Sequence, residues 1–291
     1  MTGQVAAAVR PEAIPASRPG VLSRLWRQGG SRAGLIILVV MIVGGLVSAA
    51  GLAPAPSSQN PLATLKGPAL AHLFGTDQFG RDVFTRVLAG TLLSLQTAVV
   101  AVLICAVIGT LAGVAAGFLG GWVNWTVTSG ADLIFAVPSI LLALAIVSAL
   151  GPGWQNTAIA VGVSYTPIFI RVVRGPVLAV RQADYVKAGQ VLGFSRSRLL
   201  VRHILPSVGG VLAVQVTLAL GWAVLTEASL DFLGLGPPPP AATLGQMVSD
   251  GTGLAGIAWW NLAFPALAVA GLVMAFNLVG DGLRDALDPT R

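Results

Sequence analysis

Charge is so scarce in this chain that the gaps between charged residues set what it can fold into. Nothing is charged from Ala33 to Leu65, from Val87 to Ala131, or from Leu133 to Ile170. A soluble domain covers its surface with about 25% charged residues. Here 10% of the 291 residues are charged and 55% are apolar, with a mean hydropathy of +0.83. These values exclude a soluble globular enzyme, and the apolar fraction excludes a disordered chain. A helical span takes about 20 residues, so the length accommodates about six with loops and tails. The expected fold class is an all-α polytopic membrane protein with six transmembrane helices.

The first span is densest from Gly34 to Leu52. A polar segment with Lys66, His72, Asp77, Arg81, Asp82 and Arg86 follows, then a second span over 92–118. Gly120-Gly-Trp-Val-Asn-Trp-Thr reads as a short loop closed by Asp132, and Gly151-Pro-Gly-Trp splits the next uncharged run into spans three and four. Gly209 to Phe232 and Asn261 to Gly280 give spans five and six. The domain reading is a cytoplasmic tail over 1–32, a first transmembrane helix over 33–52 and an extracytoplasmic segment over 53–90. A five-helix core over 91–281, carrying a cytoplasmic loop over 175–208, and a cytoplasmic tail over 282–291 complete it. Leu46-Val-Ser-Ala-Ala offers small residues for signal cleavage, but the long basic leader and the length of the apolar run favour an uncleaved anchor.

Lys and Arg collect on the cytoplasmic side of membrane proteins. Five arginines lie in the first 32 residues and seven basic residues lie between Arg171 and Arg202, whereas 233–259 holds none. Both termini and the 171–208 loop are therefore expected in the cytoplasm, with 66–86 as the one basic stretch left outside. The net charge of +6 fits anionic lipid as a partner better than nucleic acid. Trp26, Trp122, Trp125, Trp154, Trp259 and Trp260 fall near span ends, as interfacial aromatics do; Trp222 is expected inside the bundle. The single cysteine, Cys105, permits neither an internal disulfide nor a thiolate metal cluster.

Catalysis finds no support in the residues. Both histidines, His72 and His203, lie outside the spans, so Ser164 lacks the base that a serine nucleophile needs. Neither a phosphate-binding loop nor a metal-ligand spacing occurs. The expectation is a non-catalytic chain that binds no cofactor. Gly109, Gly113 and Gly117 put three notches on one face of span two, read as close helix packing. Pro138, Pro167 and Pro265 are candidate bends. Glu227 and Asp231 stand four apart at membrane depth, where an ionisable residue costs about 2.5–3.5 kcal/mol on insertion scales. They are read either as solvated at the outer interface or as pathway or gating residues in a polar cavity. Pumps and carriers place several such groups near the midplane, so this chain is not expected to supply its own driving force.

The loop 181–206 reads as a helix–turn–helix on the membrane surface. Tyr185, Ala188, Gly189 and Leu192 recur at helical spacing, Gly193 ends the first helix, and Pro206 opens span five. It reads either as a basic amphipathic stretch on lipid headgroups or as a docking knob for a cytoplasmic partner.

This loop resembles the coupling loop of ABC-importer permeases, whose pattern is Glu-Ala-Ala, three residues, Gly, nine residues, Ile-x-Leu-Pro. Here the pattern reads Lys187-Ala188-Gly189, then Gly193, then His203-Ile204-Leu205-Pro206. The glycine and Leu-Pro keep the family spacing, while Lys187 reverses the charge of the usual Glu. Three further blocks are similar to the dipeptide/oligopeptide/nickel branch, DppC/OppC-type. They are Phe74-Gly-Thr-Asp-Gln-Phe-Gly-Arg-Asp-Val-Phe-Thr-Arg86, Thr226-Glu-Ala-Ser-Leu-Asp-Phe-Leu-Gly-Leu-Gly236 and Phe276-Asn-Leu-Val-Gly-Asp-Gly-Leu-Arg-Asp-Ala-Leu-Asp-Pro289.

The resemblance implies a type I importer fold in a bacterial plasma (inner) membrane. It implies a permease subunit forming half of a translocation pathway for peptides or similar small solutes. It implies as partners a homologous second permease, two cytoplasmic ATPase subunits that hold ATP and Mg, and an extracytoplasmic substrate-binding protein. It moves the loop reading to the docking knob, with Asp184, Tyr185, Lys187, Ala188, Gly189, Gly193, Leu205 and Pro206 as coupling residues. The outer loop 233–259, stiffened by Pro237 to Pro240, is the expected contact for the binding protein.

Overall fold

A computed structural model describes residues 21–287. Most of the tail expected over 1–32, and the end of the fourth family block at Asp288 and Pro289, lie outside the described residues. The described chain is helical: α1 (Val21–Arg27), α2 (Gly29–Ala49), α3 (Val83–Leu119), α4 (Gly121–Phe135), α5 (Ser139–Leu150), α6 (Trp154–Gln182), α7 (Asp184–Val191), α8 (Arg196–Leu199), α9 (Leu205–Phe232), α10 (Leu244–Thr252) and α11 (Trp260–Leu287). A π-helical segment, Leu200–Ile204, joins α8 to α9. Among the described residues five helices are long and apolar enough to cross a membrane, and six if α4 and α5 form one bent span.

The long helices start and stop where side chains satisfy their ends. The Asp82 carboxylate accepts from Thr85 N at 3.0 Å to open α3, and Pro206 sits in the first turn of α9. Thr243 caps α10 through Gln246 N at 3.2 Å. The stretch expected as a loop after Gly120 is instead α4. Its Gly-Gly-Trp start is a sharp corner, after which Thr126 and Thr128 hydroxyls bond back to carbonyls one turn earlier. Pro138 lies at the break between α4 and α5, where the axis turns by 87°.

Glycine sets how closely the bundle packs. A Cβ on Gly113 would stand 2.7 Å from Ile170 O, one on Gly117 2.7 Å from Val177 Cγ1, and one on Gly162 2.9 Å from Ala101 O. The three notches of α3 therefore seat the backbone of α6, and the order of contacts makes the two helices parallel. Small residues at this spacing let backbones meet where lipid supplies no hydrophobic drive. α2 packs antiparallel to α11 through Gly34, close to Ala275 O, and meets α3 through Gly45, close to Leu92. Val83, Ala98, Ala101, Cys105, Ala160, Val161, Phe169, Val224 and Leu272 fill the core between α3, α6, α9 and α11.

One end of the bundle carries the 53–82 segment, Gly151-Pro-Gly and 233–259; the other carries α1, α7, α8 and the end of α11, where Arg24 Nη1 donates to Ala286 O at 3.1 Å. Two tryptophans depart from expectation. Trp222 is 58% exposed, on the outer surface of α9, because the bundle packs on the opposite face of that helix. Trp260 is buried and donates from Nε1 to Thr76 O at 3.1 Å, which ties α11 to the 53–82 segment.

Candidate functional site

The knob at the Arg-rich end is built by local rules. After α6 the chain turns at extended Ala183 and enters α7. Gly193 adopts φ +75°, a conformation that L side chains resist. Its N–H reaches Gln190 O at 3.0 Å, and Phe194 N reaches Gly189 O at 3.0 Å, the paired bonds of a Schellman stop. Ser195 Oγ then accepts from Arg198 N to start α8. Val186, Gly189, Leu199 and Ile204 form the buried side of the knob. A Cβ on Gly189 would lie 3.0 Å from Leu199 Cδ2 and 3.2 Å from Phe194 Cδ2, whereas nothing lies within 4 Å of one on Gly193. Crowding inside the knob therefore falls on Gly189; Gly193 is needed for its backbone conformation.

Of the other expected coupling residues, Asp184, Tyr185, Lys187, Ala188, Leu205 and Pro206 are all exposed. Lys187 Nζ and Asp184 Oδ1 stand 3.6 Å apart on the surface, and the Tyr185 ring leans toward His203 with centroids 6.0 Å apart. Val191 and Leu192 were not among the expected residues, yet they are 88% and 73% exposed at the tip of the turn. The signal for them is an apolar pair directly before the helix-stopping glycine.

At the opposite end, Glu227 and Asp231 sit on the α9 face that meets α3 and the 234–245 stretch. Solvation at the interface is overturned: the residues are 2% and 1% exposed. Ser94 Oγ donates to Glu227 Oε1 at 3.1 Å. Glu227 Oε2 and both carboxylate oxygens of Asp231 have no hydrogen-bond partner among the described residues. Gly245 packs its backbone against Asp231 Cβ, and Gly236 lies against the Asp231 carboxylate. One residue away, Tyr165 Oη and Thr226 Oγ1 are 2.9 Å apart and join α6 to α9. The acidic pair is thus an interior joint between three helices and the following loop.

Two of the three basic residues of 66–86 that broke the charge pattern, Arg81 and Arg86, have an internal use, while Lys66 is exposed. Asp77 holds Arg81 Nε at 2.6 Å and Arg86 Nε at 3.7 Å, and accepts from the backbone N–H groups of Phe79 and Arg81. His72 Nδ1 pairs with Asp82 Oδ2 at 2.9 Å. Asp250 on α10 faces this cluster, and burial raises its carboxyl above the usual range despite attraction from Arg86 and Arg81. Among the described residues no three His, Cys, Asp or Glu side chains converge as a metal site, and Ser164 Oγ is engaged with Ala160 O at 2.8 Å.

Residues 109–291 match the model of the binding-protein-dependent transport system inner membrane component. The chain is 41% identical over 256 residues to the dipeptide transport system permease protein DppC of Alkalihalophilus pseudofirmus, covering 88% of this chain and 84% of the relative. It is 42% identical over 224 residues to the glutathione transport system permease protein GsiD of Pectobacterium atrosepticum, covering 77% and 74%. It is 37% identical over 292 residues to the probable D,D-dipeptide transport system permease protein DdpC of Escherichia coli, covering 99% and 97%. With its apolar helices, its glycine-notched core and these matches, the chain belongs to the inner-membrane permease components of binding-protein-dependent transport systems.

Proposed function

We propose that this permease forms half of the translocation pathway of an ATP-driven importer of peptides or similar small amide-bonded solutes, and that α7 and α8 are its coupling element. The observation that carries this reading is the knob, shaped by the Gly193 turn, with Val191 and Leu192 bare at its tip. Apolar side chains held in fixed geometry at the basic end of a membrane bundle are suited to insertion into a partner's cleft. The partners are a homologous second permease, two cytoplasmic ATPase subunits carrying ATP and Mg, and an extracytoplasmic binding protein. The knob and both termini face the cytoplasm, as the crowding of arginine at that end supports.

In this reading ATP closes the ATPase pair, the knobs follow, and the bundle rocks between inward- and outward-facing states as a rigid body. The close α3–α6 seam supports rigid transmission, since backbones this near cannot slide independently. Glu227 and Asp231 act as a gating joint, tying the outer end of α9 to α3 and to the loop that follows it. The loop 233–259 receives the binding protein. Deletion of Pro237–Pro240 should then abolish docking of the binding protein, and undiminished docking contradicts that assignment. The substrate class rests on relatives named for dipeptides, a D,D-dipeptide and glutathione.

The test of coupling is Gly193→Trp. The space around Gly193 is open within this chain, but its φ of +75° resists any L side chain, so the variant disturbs the turn of the knob as well as its outer surface while the bundle's packing is untouched. The expected result is normal membrane insertion with transport lost. Normal uptake by this variant contradicts the assignment.

A further inference from the structure

Behind the knob, where α7 and α8 stand off from the end of α3, lies a cleft of about 370 Å³. Arg181, Arg196 and Gln190 line it together with Phe118, Leu119 and Phe194. Its chemistry is divided: two guanidinium groups and an amide on one part, an apolar wall on the other. Arg181 belongs to the bundle. Its Nη1 reaches Gly117 O at 3.4 Å, at the carbonyl end of α3, and stands beside Gly120, where a Cβ would lie 2.9 Å from it. Arg196 belongs to the knob, in the first turn of α8. Among the described residues neither guanidinium has a carboxylate within ion-pairing distance.

The depth of the cleft is marked by its neighbours. Leu119 and Gly120 lead directly into α4, whose Trp122 and Trp125 are exposed on the bundle surface. Exposed tryptophans at the end of a span sit at headgroup level, and these two follow directly on the end of α3, so the cleft opens where lipid phosphates lie. Guanidinium forks match phosphate oxygens and bind them more strongly than neutral donors do. Beyond Phe118 and Leu119, the exposed apolar residues Leu111 and Val107 continue along α3, a path an acyl chain could follow.

We infer that this cleft binds the phosphate headgroup of an anionic phospholipid, bridging Arg181 of the bundle to Arg196 of the knob. The bound headgroup fixes the angle between the coupling element and the helices it drives. Free phosphate shares the charge and the oxygens but lacks the chain that would use the apolar wall.

The test is native mass spectrometry of the intact transporter assembly carrying wild-type chain, Arg196→Gln, or Arg181→Gln with Arg196→Gln. Each is reconstituted in bilayers of equal phosphatidylglycerol and phosphatidylcholine. Among the described residues the Arg196 side chain makes no hydrogen bond or ion pair, so the single variant stays informative if the double variant is unstable. The expected result is retention of phosphatidylglycerol over phosphatidylcholine by wild type, with occupancy at least threefold lower in Arg196→Gln. Millimolar inorganic phosphate should not displace the retained lipid. Equal retention of the two lipids, unchanged occupancy in Arg196→Gln, or displacement by inorganic phosphate alone would each overturn the proposal.

Discussion

At one end of the bundle the 53–82 segment is held by buried polar bonds: Asp77 to Arg81 within it and to Arg86 of α3, Trp260 and Asn261 of α11 to Thr76 O, and Thr76 Oγ1 to Ala63 O within it. At the other end the α7–α8 knob rests on a few buried apolar residues and leaves every residue from Val191 to Arg198 exposed. The first end ties its own segments together with buried polar bonds, although Leu62 and Leu70 stay exposed on it. The second has a defined shape but an unburied tip, as a surface made for another protein does. Variants of the buried polar bonds in the cap should therefore lose stability, whereas variants of the knob tip should fold and fail to work.

The largest effect is expected from Asp77→Ala. It leaves Arg86 and Arg81 without their shared carboxylate in a buried site, and breaking a buried pair this way costs about 3–5 kcal/mol. Thermal unfolding of the purified protein and proteolysis within 53–82 check it; an unchanged melting temperature would show that the cap is held by packing alone. Gly189→Leu comes next, because the added side chain meets Leu199 and Phe194. It should pry the knob open, reducing transport at least tenfold while the bundle's melting temperature stays within a few degrees. Leu192→Asp sharpens the contrast. An exposed tip residue should change stability by no more than about 0.5 kcal/mol, yet a charge placed there should reduce ATP-driven uptake in reconstituted vesicles.

The smallest effect concerns pH. Burial raises the carboxyl of Asp250 in the folded state. A carboxyl so raised withdraws stability as pH climbs from its ordinary range through the raised value, because the folded state holds the proton more tightly than the unfolded chain. The wild-type cap should thus weaken across that window, and Asp250→Asn should flatten the dependence. Parallel pH profiles for the two proteins would show that Asp250 does not contribute.

Much of this arrangement is legible in the sequence, for reasons that are local. The uncharged runs place the long helices, the four-residue spacing of Gly109, Gly113 and Gly117 predicts a close seam, and Gly193 marks the turn of the knob. What is not legible depends on contacts far apart in the chain. The spacing of Glu227 and Asp231 puts them on one face, but only the fold brings Ser94 to that face, 133 residues away. Trp222 faces outward, and Trp260, at the end of its span as expected, is buried, because hydropathy does not say which side of a helix meets its neighbours. Gly120-Gly-Trp reads as a loop because a sharp corner and a loop use the same residues; the helix beyond it is stabilised by the bundle.

The central claim is that the knob tip enters an ATPase subunit. Leu192→Cys tests it directly, since the native Cys105 is buried and leaves the tip as the one reactive position among the described residues. Native membranes carrying this variant would be treated with a short thiol-to-amine crosslinker, and the products identified by mass spectrometry. The account predicts a dominant adduct with a cytoplasmic ATPase, lost when Gly193→Trp is added. Adducts with lipid alone, or with a second permease and no ATPase, would contradict it.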